Sequence, residues 1–532
     1  MSRVSQTIAY GRYALGLRRF LRERATAERG RQVITRRLQE REANFLALAR
    51  RAIFDNARSP YVPLLRHAGC EYGDLERIVR ADGIEAALQR LYTSGVYVTI
   101  DEFKCRQPIV RGAATVVCTP GDFDNPFLAA GIQAGSSGSR SAGTATTMSL
   151  ERTGHNAMYN AVVFSAHGLQ DRPTLLWMPI LPSAAGLVVL LHYCKMGVPP
   201  VRWFSPVAAA NIRPALSKRL ATRYIVYAGR LFGSKVPTPQ YVSGSQVHVV
   251  LRCLEDILRL GRGCVVACTP SSAARVSQVA WSSGIDLSGV TFMAGAEPLT
   301  PAKAKEISRA GARAVSMYAS AEVGFIGFGC AGRTGACDDV HVLEGSHAVI
   351  QHRRDTPFGG GPVQALLFSS IHDRAAKILL NVESGDYGVV ETRECGCELG
   401  SLGLRQHIHT IRSFDKLTGE GMTFVGTDLV RLMEEVLPAR FGGASTDYQM
   451  VEMEDAASHT RMDVLVSPDV GVVDEEELVR VVLLELSRGS DTNRMMADVW
   501  RERDVLRVRR ERPHVTAAGK LLTLHVMKTS GV

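Results

Sequence analysis

Apolar residues along this chain fall into two alternating spacings. Short apolar runs, CVVAC at 264–268 and VTFM at 290–293, read as buried strands. Between and around them, VHVVLRCLEDILRL (247–260), SAARVSQVAWSSG (272–284) and PAKAKEISRA (301–310) carry apolar residues three and four apart, the spacing of helices. WMPIL (177–181) reads as a further strand and AAGLVVLLHYCKMG (184–197) as a buried helix. This alternation over 175–320 predicts an α/β fold with parallel strands. Upstream, residues 15–55 read as helical and basic, with Phe45, Leu46, Leu48, Ala49 and Ile53 on one apolar face. SPYVPLL and YGDLERIV extend this helical lead-in, which occupies residues 1–90. Downstream, VQALLFSSI, KILLNV and YGVVET read as strands of a small β subdomain. YQMVEME, RMDVLVSP, EEELVRVVLLELSR and DVLRVRRERP then give strand, strand, helix and strand, a compact α/β unit at the C-terminal end.

A length of 532 residues exceeds one ordinary core and predicts two or more domains. Composition, 45% hydrophobic and 22% charged, is that of a soluble globular protein. The net charge of +10 suits anionic substrates such as ATP or CoA, with solvated arginine as the plain alternative. No zinc-finger spacing, aromatic RNA-binding signature or lysine tail is present, so the expectation is no nucleic acid. The longest apolar run, LLWMPILPSAAGLVVLL, is split by Pro179 and Pro182, so no membrane span is expected. Arg18, Arg19, Arg22 and Arg24 are interleaved with Glu23, Glu28, Glu40 and Glu42, unlike a transit peptide. With no signal peptide, the eleven scattered cysteines read as reduced thiols of a cytoplasmic protein. Oligomeric state is open, with a homodimer as the default.

Several short stretches carry chemistry. Thr300 before Pro301 reads as a helix N-cap, and ARAVSMY reads as a strand ending at Tyr318 with ASAE beyond it. Residues past parallel strand ends line ligand crevices, so Tyr318 can face a base and Glu322 can hold magnesium. GSSGSRSAGT (135–144) alternates glycine with hydroxyl residues, as a phosphate cradle does, although such runs also serve as linkers. It lacks the Gly-Lys-Ser/Thr ending of a Walker loop. Gly385-Asp386, taken alone, reads as a turn between strands. Cys330 and Cys337 lie near His341, and Cys395 and Cys397 follow some fifty residues later; soft thiolates and one imidazole suit tetrahedral zinc, and inert thiols are the alternative.

Taken in order, these stretches resemble the adenylate-forming superfamily, and within it the phenylacetate–CoA ligases and acyl-protein synthetase-like proteins, from about residue 45 to the C-terminus. The resemblance implies a large N-terminal adenylation domain (1–412), with parallel-rich sheets, flanking helices and a small β subdomain. It implies a small mobile α/β cap (413–532), hinged at Asp415 or Lys416. Ser136, Ser137, Gly138, Ser139 and Arg140 fall on the phosphate loop, where Arg140, Ser141 and Ala142 depart from the pattern. Gly295, Ala296 and Glu297 fall on the turn beside adenine. Tyr318, Ala319, Ser320 and Glu322 fall on the Tyr…Glu box, with Ala321 replacing its usual hydroxyl. Asp386 falls on the ribose carboxylate, Arg412 on a ribose or phosphate contact, and Lys520 on the adenylation lysine. An acyl pocket would run along 175–290, where Trp177, His192, Tyr193, Trp203 and Phe204 read as lining or as core. Some of these relatives carry a structural zinc at the Cys/His…Cys-x-Cys position, which implies Cys330, His341, Cys395 and Cys397 as ligands here, with Cys337 competing for the first place. The implied activity joins a small carboxylic acid, aryl or arylacetic by preference, to CoA using ATP and Mg2+. A carrier-protein thiol, protein cysteine or amine is the alternative acceptor, and a degenerate nucleotide-binding protein the rival reading.

Overall fold

The computed structural model describes residues 13, 15–128, 132–135, 145–181, 183–206, 216–232, 235–243, 246–320, 322–332, 335–355, 362–413, 418–419, 422–423, 428–454, 460–488, 494, 497–498, 500–501, 505–516 and 519–527. The Ser/Gly loop residues Ser136, Ser137, Gly138, Ser139 and Arg140 and the hinge candidates Asp415 and Lys416 lie outside the described residues, as does Ala321. The helical lead-in is present. Helix α1 (Ala27–Gln39) is capped by Thr26, whose side chain accepts from the Arg29 amide. Arg41–Leu48 then runs into a π-helical turn, Ala49–Phe54, with Phe45, Leu46, Leu48, Ala49 and Ile53 all buried as the spacing predicts. A hairpin of Ile132–Gly135 against Ala145–Met148 leads into α2 (Leu150–Ala166).

The centre is one twelve-stranded mixed sheet. Its strands in chain order are β1 (Thr174–Trp177), β2 (Arg202–Ser205), β3 (Pro239–Tyr241), β4 (Cys264–Cys268), β5 (Val290–Gly295) and β6 (Arg313–Ser320), followed by β7 (Gly324–Gly329), β8 (Val340–Val342), β9 (His347–Asp355), β10 (Pro362–Ser370), β11 (Val382–Thr392) and β12 (Gln406–Ser413). The first six lie side by side in the order β3-β2-β1-β4-β5-β6 and pair in parallel. They are joined by α3 (Ala184–Met196), α4 (Leu216–Leu231), α5 (Val247–Arg259), α6 (Pro270–Ser282) and α7 (Pro301–Arg309). Helices cover both faces of such a sheet, and every residue of β1, β4 and β5 is buried. From β6 the order continues β7-β8-β12-β11-β10-β9, all antiparallel. The β subdomain expected as a separate piece is therefore the second half of the same sheet.

Three local expectations are corrected. The strand assigned to WMPIL ends at Trp177, because Pro179 has no N–H to extend the ladder. KILLNV is not a strand: only Lys377 makes an isolated bridge, to Asp124, and regular pairing starts at Val382. Gly385-Asp386 is not a turn between strands but lies inside β11, where Gly385 takes φ +81° and the register against β10 shifts, Glu383 facing Leu367 and Tyr387 facing Ala365. A glycine in the left-handed region at such a bulge re-aims the side chain that follows it.

The C-terminal unit has strands β13 (Tyr448–Glu454), β14 (Thr460–Val466), β15 (Leu506–Arg509) and β16 (Leu524–Val526) in the order β15-β14-β13-β16. Helix α8 (Glu475–Ser487), capped by Asp474, packs on them. Its buried apolar cluster runs from Leu429 to Leu524 and takes no residue from the large sheet. Among the described residues, no helix is long and apolar enough to cross a membrane. All eleven cysteines are free thiols.

Candidate functional site

The parallel strands β5 and β6 end together, and the candidate residues gather at that edge. Met317 pairs with Gly295, so the turn after β5 sits beside the last residues of β6. Ala296 holds φ +72°, a left-handed conformation that costs an alanine about 1 kcal/mol. The sequence reading ends the next strand at Tyr318. Instead β6 runs on to Ser320, and Ala319 and Ser320 pair with Phe325 and Gly324 of β7. The register shifts between Tyr318 and Ala319, so a bulge separates the buried tyrosine from the hairpin that carries half-buried Glu322.

Tyr318 and Asp386, 68 positions apart, are brought together: the tyrosine Oη donates to Asp386 Oδ2 at 2.9 Å. Burial first, and then the Asp386 carboxylate, hold the phenol well above the usual tyrosine range, so it is a neutral donor. The ring meets Phe368 edge-on, with centroids 6.3 Å apart. Asp386 pairs with Ser413 across β11 and β12, one position from Arg412. Arg412 itself is spent on a partner the sequence did not single out: its Nη1 donates to Asp338 Oδ2 at 3.0 Å, and both side chains are buried. Asp338 also accepts the amides of Thr410 and Ile411, each at 2.9 Å. The Arg412 Nε is buried without a hydrogen-bond partner.

Glu297 meets the loop that carries Lys520, through the backbone of the next residue. Glu297 Oε1 accepts the Leu521 amide at 2.6 Å, and Oε2 accepts both the amide and the hydroxyl of Ser271 at the start of α6. The loop before it is folded on itself: the Lys520 amide donates to Thr516 Oγ1 at 3.1 Å, and the Thr516 amide to the Lys520 carbonyl at 2.8 Å. Gly519 holds φ +75°, and a Cβ there would lie 2.6 Å from Cγ of Pro206, just past β2. Only glycine lets this loop lie against the strand ends.

No family model and no curated protein matches this sequence. Solved structures do align with it. The anthranilate CoA ligase AuaEII in complex with anthranoyl-AMP aligns at 13% identity over 84% of this chain and 75% of its own, with a TM-score of 0.42. McyG A-PCP complexed with phenylalanyl-adenylate aligns at 12% identity over 82% of this chain and 62% of its own, TM-score 0.42. An E. coli MenE with bound OSB-AMS aligns at 11% identity over 69% and 64%, TM-score 0.36. The chain thus spans less than two thirds of the last two. All three TM-scores lie below 0.5, so the functional reading rests on this chain's own residues.

A second cluster lies where β7, β8 and the 393–404 loop meet. The ligand atoms of Cys330, His341, Cys395 and Cys397 all fall within 4.8 Å of one another. His341 Nε2 is 3.1 Å from Cys397 Sγ and 3.5 Å from Cys395 Sγ, and the two sulfurs are 3.4 Å apart. His341 Nδ1 sits 2.8 Å from the Leu404 carbonyl, which takes its proton and leaves Nε2 facing the thiols. The Gly332 amide donates to Cys330 Sγ at 3.3 Å. A Cβ on Gly400 would lie 2.9 Å from Cys395 Sγ. The hydrogen bond between Cys330 and Cys397 holds the first thiol up and the second down. Three soft sulfurs and one oriented imidazole fit a structural zinc ion. Cys337, the competing donor, is exposed and bonds to the Leu299 carbonyl instead.

The aromatic candidates Trp177, His192, Tyr193, Trp203 and Phe204 are all buried core residues. Trp203 Nε1 donates to the Met178 carbonyl, and His192 Nδ1 lies 3.1 Å from Asn160 Nδ2. Sequence reasoning missed Asp338, Ser271 and Glu434. Only the Asp338-Asp339 pair gave a local signal, as two adjacent acids between Cys337 and His341.

Proposed function

We propose that this protein is an ATP-dependent, AMP-forming carboxylate ligase. In this reading an oxygen of the acid substrate attacks the α-phosphorus of ATP, the bond to pyrophosphate breaks, and an acyl-adenylate forms. Tyr318 and Asp386 hold the nucleoside, the carboxylate accepting the ribose hydroxyls. Glu322 offers a hard oxygen ligand that fits magnesium, which when bound neutralises phosphate charge. Lys520 and Arg412 stabilise charge that develops on the α-phosphate. Residues 136–140 cradle the phosphates. An acceptor thiol then attacks the acyl carbonyl and AMP leaves. CoA is the preferred acceptor, with a carrier protein, a protein cysteine or an amine as alternatives, and an aryl or arylacetic acid the preferred substrate. The domains would divide at 412/413, with Asp415 or Lys416 as pivot, and Cys330, His341, Cys395 and Cys397 would hold a structural zinc.

One observation carries the reading. The Glu297–Leu521 bond joins segments 224 positions apart, so the Lys520 loop abuts the turn after β5, near the Tyr318–Asp386 pair. A loop with no role at that turn would have no need of a strained Ala296 and a doubly committed carboxylate beside it. The degenerate nucleotide-binding reading is favoured by the commitment of Arg412 to Asp338 and by the sequence changes at Ser141, Ala142 and Ala321. ATP–pyrophosphate exchange against a panel of aryl, arylacetic and fatty acids separates the two. Acid-dependent exchange that is lost in Lys520→Ala, with ATP binding retained, supports the ligase. ATP binding without exchange for any acid supports the degenerate protein.

A further inference from the structure

Besides the Leu521–Glu297 bond and the Gly519–Pro206 contact, the C-terminal unit meets one face of α7, and that contact is polar. Thr300, Lys303 and Glu306 stand three residues apart along that face. Thr300 caps α7, accepting the Lys303 amide at 3.4 Å, and its hydroxyl also donates to Glu434. Lys303 Nζ donates to Glu434 Oε1 at 2.8 Å. The two side chains are 4% and 5% exposed, so this ion pair is sealed from water. One turn on, Glu306 accepts the amide and hydroxyl of Ser445 at 2.7 and 2.9 Å. Glu434 lies in the π-helical turn Leu432–Val436, and Ser445 lies just before β13. Both belong to the C-terminal unit, whose apolar cluster takes no residue from α7.

These bonds stand at a particular place. Thr300 follows Glu297 by three residues, and Glu297 holds the Leu521 amide beside Lys520. The turn after β5 is thus gripped twice by the C-terminal unit, from Leu521 on one side and from Glu434 through α7 on the other. A sealed ion pair adds little net stability over an apolar contact, but it tolerates only a partner that meets both charges in one geometry. Such a pair fixes an orientation and leaves no apolar surface bare when it opens.

We infer that Glu434, paired with Lys303 and Thr300, is a positioning residue that sets the Lys520 loop on the Glu297 turn. It does so by fixing how the C-terminal unit docks on α7, and it touches no substrate. The docking half of this inference stands on the contacts alone; the catalytic half rests on the ligase reading. Because α7 and the turn are continuous, a ligand that engages the turn and the docking of the C-terminal unit must influence each other equally.

The test uses the full-length protein with Glu434→Gln, Lys303→Met and the conservative Glu434→Asp. Hydrogen–deuterium exchange is read on the peptide covering 514–526 and on those covering β13 and β14. The expected result is at least tenfold faster exchange at 514–526 in Glu434→Gln and Lys303→Met. Exchange in β13 and β14 should stay unchanged, and Glu434→Asp should recover part of the protection. With an acid that supports turnover, pyrophosphate exchange falls about tenfold in kcat while KM for ATP stays within twofold. Transfer from supplied acyl-adenylate to the acceptor is not slowed. Unchanged exchange at 514–526 in a folded Glu434→Gln protein overturns the inference. So does equal loosening of β13 and β14, which would make Glu434 a fold-stabilising residue only. Faster exchange at 514–526 in a protein that activates no acid upholds the docking role and refutes the ligase reading instead.

Discussion

The Cys330–His341–Cys395–Cys397 cluster can be tested without knowing any substrate. Zinc–sulfur bonds of about 2.3 Å and zinc–nitrogen bonds of about 2.05 Å in a tetrahedron set sulfur–sulfur edges near 3.8 Å and sulfur–nitrogen edges near 3.5 Å. The Cys395–His341 separation of 3.5 Å already matches, whereas Cys397–His341 at 3.1 Å and Cys395–Cys397 at 3.4 Å must open by about 0.4 Å. Movements of that size are within side-chain adjustment, so an ion could be held here without a change in the fold. Free zinc at 1,000-fold above its Kd would then stabilise the native state by about 4 kcal/mol. Gly400→Ala is the sharpest perturbation, since its Cβ would stand 2.9 Å from Cys395 Sγ while every donor stays in place. The assay is elemental analysis of protein from zinc-replete medium, with cobalt substitution read by its thiolate charge-transfer and d–d bands. One equivalent of zinc and tetrahedral cobalt bands are expected in the native protein. Cys395→Ser should lose them, and Gly400→Ala should weaken zinc affinity at least tenfold. Protein that takes up neither ion, or a Gly400→Ala variant that binds as well as the native chain, refutes the geometry.

Other expectations follow from single contacts. Asp386→Asn should raise KM for ATP by about 10- to 100-fold, the worth of one or two hydrogen bonds to a charged group, and should narrow the preference for ATP over 2′-deoxy-ATP. Lys520→Ala should lower pyrophosphate exchange by about 100- to 1,000-fold, as loss of one charge-stabilising group does; a smaller loss would move the role elsewhere. Ala296→Gly should raise stability by about 1 kcal/mol in denaturant unfolding, because it relieves the φ of +72°. His192 is held neutral, its pKa lowered from 6.5 to about 3 by burial and then by Arg152. The unfolded chain therefore binds the proton first as pH falls, and stability is lost between about pH 6.5 and pH 3. At pH 5 the loss from this one group is about 2 kcal/mol, and His192→Gln should flatten that part of the pH–stability curve.

What the sequence determined is what a short window can encode. The spacing of apolar residues set α5, α6, α7, β4 and β5, and Thr300-Pro301 marked where α7 starts. These features depend on the 3.6- and 2-residue periods of side-chain direction, which neighbours share. The Cys/His cluster was legible from its soft donor types together with the family resemblance, which is what singled out these four residues. Spacing alone left Cys330 and Cys337 as rivals. The strand pairing of β7 with β8 decided between them, by turning Cys330 towards His341 and leaving Cys337 at the Leu299 carbonyl. Tertiary structure alone made Gly385-Asp386 part of a bulged strand, since the register of β11 against β10 is a property of two segments and not of one. It alone gave Arg412 its Asp338 partner, 74 positions away, and Lys303 its Glu434 partner, 131 positions away. A buried charge accepts whichever counter-charge the strand order brings within about 3 Å, and no local pattern specifies that choice.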